Sequence, residues 1–231
     1  MPDKFKTGFL SGNMLKIIAI LTMTIDHIGA YLLPQYLILR IIGRIALPIF
    51  AFMIAEGCRY TRNRARYLGT MLGMSFIFQA VYFMVMKSLE MCIFVTFSLS
   101  ISLIYVLDYA RKRKGVSGAV LAFFGVCAVY GITRFLPGRI EGFSVDYGFW
   151  GVMLPVLIYM SSDKWGKLSL TAIGLLLLFN SHGYIQLYAF MALPLLALYD
   201  GSRGKWNMKY LFYIYYPLHL VVIYLIGFLC L

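Results

Sequence analysis

Long apolar segments follow one another along almost the whole chain, and they limit its possible folds more than any other feature. About 20 consecutive apolar residues are enough for an α-helix to cross the hydrocarbon core of a bilayer. Hydrophobic residues make up 61% of the chain and charged residues only 13%, which lies far outside the soluble globular range. The sequence therefore predicts an all-α, polytopic transmembrane helix bundle.

We predict about nine spans from these segments. They lie near residues 14–33, 36–56, 67–87, 91–109, 117–136, 145–161, 168–180, 184–199 and 210–230. The seventh and eighth are short for a complete crossing, so a tight hairpin or two half-helices are alternatives there. Because no polar stretch between spans is long enough to fold alone, we expect one integral membrane domain over residues 1–231.

Lysines precede the first apolar segment, as in a secretory signal peptide, but Asp26 and His27 interrupt it and no small-residue cleavage site follows. We therefore expect this segment to remain as the first span. With the N-terminus placed inside, 16 of the 21 Lys and Arg residues fall in inside segments. The other five are Arg40, Arg44, Lys87, Arg134 and Arg139. This asymmetry predicts a cytoplasmic N-terminus and, with nine spans, an external C-terminus at Leu231.

The same positive-inside pattern accounts for the net charge of +12, so we expect no nucleic-acid partner. The basic runs RYTRNRAR and RKRK are topology signals in this interpretation, and capture of a polyanionic cytoplasmic substrate is the alternative. The four cysteines lie far apart, without a C-x-x-C pair or a His/Cys cluster. The sequence therefore predicts neither a metal site nor a disulfide framework.

Several ionisable residues lie within the predicted spans. The first span contains Asp26 and His27, the second contains Arg40 and Arg44, and the last contains His219 in YYPLHL. Each costs about 2.5 to 3.5 kcal/mol at the middle of a spanning helix unless it is paired or faces water. These five residues are therefore the first candidates for a functional site.

Arg40 and Arg44 are four residues apart, so they share a helix face and repel each other unless an anion lies between them. One source of that anion is Asp26, because a short connection at Pro34 makes the first two helices pack antiparallel. The other is a ligand carboxylate, a phosphate or a developing oxyanion. Both sources remain open at this point, and both can apply together.

Lys16 and His27 are eleven residues apart, which returns them to nearly the same helix face about 16 Å apart. This partly polar face is suited to line a cavity, although a single hydrogen bond to a neighbouring helix is an alternative role for His27. Asp26 points about 100° away, so it is not the expected partner of His27. For His219 the alternative is a place in an interfacial aromatic belt.

Five sequence blocks together resemble the TraX family, which is named for the F-pilin acetylation protein. The two longest are LKIIAILTMTIDHIGAYLLP and LRIIGRIALPIFAFMIAEGCRYTRNRARYL, and the others are DYGFWGV, IQLYAFMALPLLALYDGSRGK and KYLFYIYYPLHLVVIYLI. The resemblance covers nearly the whole chain in the same order. Lys16 and His27 also fit the R/K-x10-H spacing of the acyltransferase-3 membrane enzymes.

The resemblance implies a multi-pass acetyltransferase of the bacterial plasma (inner) membrane, with acetyl-CoA as donor and a deep histidine for the chemistry. The matching histidine is His27. The expected partners are acetyl-CoA, membrane lipid and an acceptor that the sequence does not identify: a protein N-terminus, a sugar or a lipid. One departure falls at Cys92, in CIFVTF, where the family resemblance leads us to expect an asparagine; Thr96 of that segment remains.

The resulting hypothesis assigns proton transfer, or transient acetyl transfer, to His27 and oxyanion stabilisation to Arg40 or Arg44. Asp26 is a candidate for orienting these groups. The candidate substrate-binding residues are Lys16, Asp146, His219, Tyr216 and Thr96. Two other classes stay open: a small anion or proton-coupled transporter that uses the same charged cluster, and an inactive acyltransferase relative that serves as a membrane partner.

Overall fold

A computed structural model describes residues 8–113, 115–205 and 209–230. Its α-helices are α1 (Gly12–Tyr31), α2 (Leu37–Gly43), α3 (Ala46–Tyr60), α4 (Arg64–Met86), α5 (Ile93–Arg113), α6 (Gly115–Tyr130), α7 (Gly148–Met160), α8 (Lys164–His182), α9 (Ala192–Ala197) and α10 (Lys209–Cys230). Two short strands, β1 (Glu90–Met91) and β2 (Ser144–Val145), pair in parallel. A π-helical turn (Gly131–Phe135) and two 3-10 segments (Leu136–Gly138 and Tyr184–Met191) complete the elements.

Five helical segments of the described chain are long and apolar enough to cross a membrane. They are Gly12–Tyr31, Leu37–Tyr60, Arg64–Met84, Ile93–Arg113 and Gly115–Gly138. All five coincide with the first five spans that the sequence predicts, so the protein is an all-α membrane protein. The side of the membrane on which each loop lies stays a prediction, and Lys4, Lys6, Lys114 and Leu231 lie outside the described residues.

The second predicted span differs from expectation because it is two helices, α2 and α3, joined by a turn at Arg44 and Ile45. The backbone N–H of Arg44 donates to Ile41 O at 3.2 Å, a bond three residues back as in a 3-10 turn. Pro48 explains the break. It lies in the first turn of α3 and has no N–H to donate to the Arg44 carbonyl, so the α-helical ladder is interrupted there.

The seventh and eighth predicted spans also differ in detail. α8 is longer than predicted, because Asp163 caps its N-terminus by accepting from Gly166 N–H at 2.7 Å. It ends at Gly183, whose φ of 83° favours glycine. The eighth span is a 3-10 segment followed by the short helix α9.

The described chain forms two compact units. The first contains the residues up to Met53 together with those from Ser161 onwards, and the second is Ile54–Met160. In the first unit, α1 packs against α2 and α10. In the second, α5 packs against α4, α6 and α7, and its buried Ser100 hydroxyl donates to Val152 O at 2.8 Å. The expectation of one domain stays a prediction.

Candidate functional site

The carboxylate of Asp26 lies between the two arginines of the second span. Arg40 Nη1 donates to Asp26 Oδ2 at 2.8 Å, and Arg44 Nη2 donates to Asp26 Oδ1 at 2.5 Å. The side chain of Arg44 is 6% exposed and that of Arg40 is 31% exposed. Asp26 therefore supplies the anion that the arginine pair requires, the first of the two sources that the sequence left open.

Local sequence explains how these helices come close enough to form the pair. A Cβ at Gly43 would overlap the side chain of Asp26, and one at Gly29 would overlap Leu39. Glycines at these two positions therefore let α1 and α2 approach each other closely. The close approach places the carboxylate of α1 against both guanidinium groups.

Arg40 and Arg44 differ in which of their guanidinium nitrogens already donate hydrogen bonds within the chain. Arg44 Nε donates to Arg40 O at 3.2 Å, in addition to the Nη2 bond with the carboxylate. Arg40 uses Nη1 alone, for the carboxylate and for the backbone oxygen of Asp26. Within the part of the chain that the structure describes, the Nε and Nη2 groups of Arg40 have no hydrogen-bond partner. Of the two arginines, Arg40 is therefore the better candidate for binding a second anion.

His27 and His219 are joined directly across α1 and α10. His27 Nδ1 lies 2.8 Å from His219 Nε2, and the two ring centroids are 5.0 Å apart. His219 is buried, and its Nδ1 lies 3.0 Å from Tyr215 O. The ring of Tyr216 meets that of His219 edge-on at 5.4 Å. The structure thus brings together His27, His219 and Tyr216, three of the residues that the sequence predicts for the site.

A second bond links the same two helices one turn away. Thr24 Oγ1 lies 2.8 Å from Tyr215 Oη and 2.9 Å from Ile20 O. Since Ile20 O can only accept, the threonine hydroxyl donates to it and accepts from Tyr215 O–H. The pairs Thr24–Tyr215 and His27–His219 follow the same order along both helices, so α1 and α10 run parallel.

Tyr215 is a site residue that the sequence reasoning missed. Its signal is its spacing: it precedes His219 by four residues, so both side chains share one face of α10. Its ring stacks on His219 at 5.3 Å with an interplanar angle of 9°. Tyr215 therefore contacts both α1 and the second histidine.

The remaining predicted residues, Lys16, Thr96 and Asp146, are described within their own units. Lys16 is half-buried on α1, and eleven residues separate it from His27 along the helix, a rise of about 16 Å. Thr96 and Asp146 belong to the second unit, where the threonine hydroxyl donates to Asp146 O at 2.7 Å. Among the described residues, no group of three His, Cys, Asp or Glu side chains could hold a metal ion.

Helices long and apolar enough to cross a membrane, with buried ionisable residues such as Asp26 and Arg44, are typical of a polytopic membrane protein. The family is also clear: a model described as "TraX protein" matches residues 11–227. The chain belongs to the TraX family, as the sequence predicts.

Two relatives were compared with the chain, and no solved structure matches it. The first is "Probable fimbrial assembly protein FimC, serogroup H1" from Dichelobacter nodosus, which is 27% identical over 92% of this chain and 94% of its own length. The second is "Uncharacterized protein RP591" from Rickettsia prowazekii (strain Madrid E). It is 60% identical over a segment that covers 17% of this chain and 16% of its own length.

Proposed function

We propose that the protein is a membrane acetyltransferase that moves an acetyl group from acetyl-CoA to an amine or hydroxyl acceptor at or beyond the membrane. The observation that carries this proposal is the His27–His219 pair, in which one imidazole holds the other by its Nδ1 atom at 2.8 Å. An imidazole oriented in this way is the usual general base for attack by an amine or hydroxyl.

The comparisons support an acceptor connected with pili. The Dichelobacter nodosus relative is named a probable fimbrial assembly protein, and the family to which the chain belongs is named for pilin acetylation. A pilin amine is therefore the acceptor that we propose, with the bacterial inner membrane as the location. A sugar or lipid hydroxyl would use the same chemistry, because the proposed base accepts a proton from either.

The proposed reaction assigns one task to each part of the site. His27 takes the proton of the acceptor as the new bond to the acetyl carbon forms. The thioester C–S bond then breaks, and the proton passes from His27 to the CoA sulfur. Arg40 stabilises the oxyanion through its Nε and Nη2 groups, while Arg44 fixes the carboxylate of Asp26 that orients Arg40.

Basic residues on the proposed cytoplasmic side provide the route for the donor. CoA carries phosphates and does not cross a bilayer, so it docks at Lys16, from which the polar face of α1 leads toward His27. Thr96 and Asp146 remain proposed substrate-binding residues. The Thr96 hydroxyl donates to the Asp146 backbone carbonyl at 2.7 Å, and its oxygen can still accept a hydrogen bond from a substrate.

The transporter hypothesis loses part of its support in this geometry. It used the cluster of Arg40, Arg44 and His27 to bind an anion or relay protons, and Asp26 already supplies an anion to the two arginines. Anion binding at Arg40 fits acyl transfer as well as transport. Consumption of acetyl-CoA is the property that distinguishes the two functions.

The test is CoA release from acetyl-CoA by the purified protein in proteoliposomes, with a pilin N-terminal peptide as acceptor. We expect His27→Gln to lower the rate by about 10²- to 10⁴-fold, the contribution typical of a positioned general base. His182→Gln is the matched control, because His182 is exposed at the end of α8; its rate should equal that of the wild type. Chloride or phosphate flux without acetyl-CoA consumption would contradict the proposed enzyme and indicate a transporter.

A further inference from the structure

We propose that His219 is a positioning residue that fixes the tautomer of His27, so that Nε2 of His27 is the nitrogen that meets the substrate. This inference rests on the proposed acetyltransferase function. It adds the identity of the reactive atom and the group that selects it. A chain of hydrogen bonds runs from the backbone of α10 through His219 to the ring of His27.

The chain begins at a carbonyl oxygen. Tyr215 O accepts hydrogen bonds and cannot donate them, so the His219 Nδ1 atom 3.0 Å away carries a hydrogen. A neutral ring is the form that buried apolar surroundings favour, since burying an unpaired charge is costly. In a neutral imidazole the second nitrogen is bare. Nε2 of His219 is therefore an acceptor.

The second bond transfers this assignment to His27. Its Nδ1 atom lies 2.8 Å from the bare Nε2 of His219, so Nδ1 of His27 must donate and must carry the hydrogen. The lone pair of His27 is then on Nε2. Among the described residues this Nε2 atom has no hydrogen-bond partner. The structure thus leaves the basic nitrogen of His27 available to a substrate.

Two further contacts hold the selecting ring in place. Tyr215 stacks almost parallel on His219, and its hydroxyl is tied to Thr24 on α1. The backbone carbonyl that orients His219 and the ring that restricts its rotation therefore belong to one residue. Because Thr24 and His27 lie on the same helix, this arrangement sets the position of both histidines relative to each other.

The hydrogen-bond order also determines the direction of proton movement. When Nε2 of His27 accepts the acceptor's proton, the imidazolium is stabilised by its bond to Nε2 of His219. The Nδ1 hydrogen of His219 points at the carbonyl oxygen of Tyr215. An amide carbonyl is too weak a base to take up a proton at physiological pH, so no proton passes from His219 to the backbone. The proton therefore leaves by Nε2 of His27, to the CoA sulfur as the C–S bond breaks, and the reaction balances without a second base.

The first experiment reads the tautomer directly. The chain has three histidines, so ¹⁵N-histidine NMR of the full protein in lipid nanodiscs gives few signals, which His182→Gln and His219→Gln assign. We expect a bare Nε2 and a protonated Nδ1 at His27. In His219→Leu, the ring of His27 should populate both tautomers, with the hydrogen on Nδ1 in one and on Nε2 in the other. A protonated Nε2 at His27 in the wild type, or an unchanged tautomer in His219→Leu, would overturn the inference.

The second experiment measures turnover. The Oε1 atom of glutamine accepts a hydrogen bond near the position of His219 Nε2, so His219→Gln should keep kcat within a few-fold. His219→Leu should lower kcat by about 10- to 100-fold, as loss of an orienting partner does elsewhere, with KM for acetyl-CoA unchanged. Equal losses in both variants would contradict selection by an acceptor atom. If the wild type shows the expected tautomer but releases no CoA, the proposed function fails and the hydrogen-bond assignment stands.

Discussion

The Asp26 carboxylate is the point where a small chemical change should have the largest effect on stability. Asp26→Asn preserves the shape of the side chain and removes its charge. Arg44, with 6% of its side chain exposed, would then stay charged and shielded from solvent while losing the negative charge of its Asp26 partner. Removing one partner of a buried pair typically costs about 3 to 5 kcal/mol. That range corresponds to roughly a 10²- to 10³·⁵-fold shift in the folding equilibrium.

The second unit provides a matched control for this variant. Asp108 accepts from Arg64 Nη2 at 2.6 Å, but the arginine side chain is 44% exposed. In Asp108→Asn, water can solvate the guanidinium of Arg64 in place of the lost carboxylate. Tyr159 O–H, which donates to Asp108 Oδ2 at 2.7 Å, can donate to the amide oxygen of the asparagine instead. Exposed ion pairs contribute about 0 to 1 kcal/mol. The same substitution should therefore cost several times less at position 108 than at position 26.

Unfolding by SDS in mixed micelles, followed by circular dichroism, measures both variants on one scale. Adding Arg44→Met to Asp26→Asn should recover part of the lost free energy, because the buried cation is then absent. A cost below about 1 kcal/mol for Asp26→Asn, or equal costs for the two Asp→Asn variants, would show that burial of Arg44 does not set the size of the loss.

Three further outcomes follow from single contacts. Gly43→Ala should destabilise by about 1 to 3 kcal/mol in the same unfolding assay, because its Cβ would overlap the buried carboxylate; Gly73→Ala, with open space at the Cβ, should not. Thr96→Val should lose about 0.5 to 1.5 kcal/mol, the net value of one hydrogen bond. Hydrogen bonds to the Asp163 carboxylate, first from Gly166 N–H and second from the Ser161 hydroxyl, lower the pKa of Asp163. The ionised carboxylate therefore stabilises the folded protein fully above the unfolded-state pKa near 3.8, and this contribution is lost as the pH falls through the lower folded-state pKa. Below about pH 4 the stability of Asp163→Asn should therefore depend less on pH than that of the wild type.

The spans were predictable because their signal is long and local. Each of the first five needs only about 20 consecutive apolar residues, and all five coincide with helices long enough to cross a bilayer. The break inside the second span was missed, since hydropathy does not register one absent N–H at Pro48. The 3-10 segment at Tyr184–Met191 was missed for the same reason, because hydrogen-bond pattern and apolar composition are independent.

Part of the site was also predictable. Cations four residues apart require an anion, and a short connection at Pro34 places Asp26 within reach, so the arginine pair and its partner follow from spacing. The contact between His27 and His219 could not be predicted from the sequence, because 192 residues separate the two histidines and no local pattern specifies which face of α10 meets α1. Tyr215 was missed because tyrosine is common in this chain and its role depends on that same packing.

In the proposed reaction the imidazole of His27 lies against the thioester of acetyl-CoA. A structure of the protein in a lipid nanodisc with a non-hydrolysable acetyl-CoA analogue would show whether it does. We expect the acyl end of the analogue within about 3 to 4 Å of Nε2 of His27, and the phosphates on the side of Lys16. An analogue bound with its acyl end more than about 10 Å from that nitrogen, beyond the reach of direct proton transfer, would contradict it.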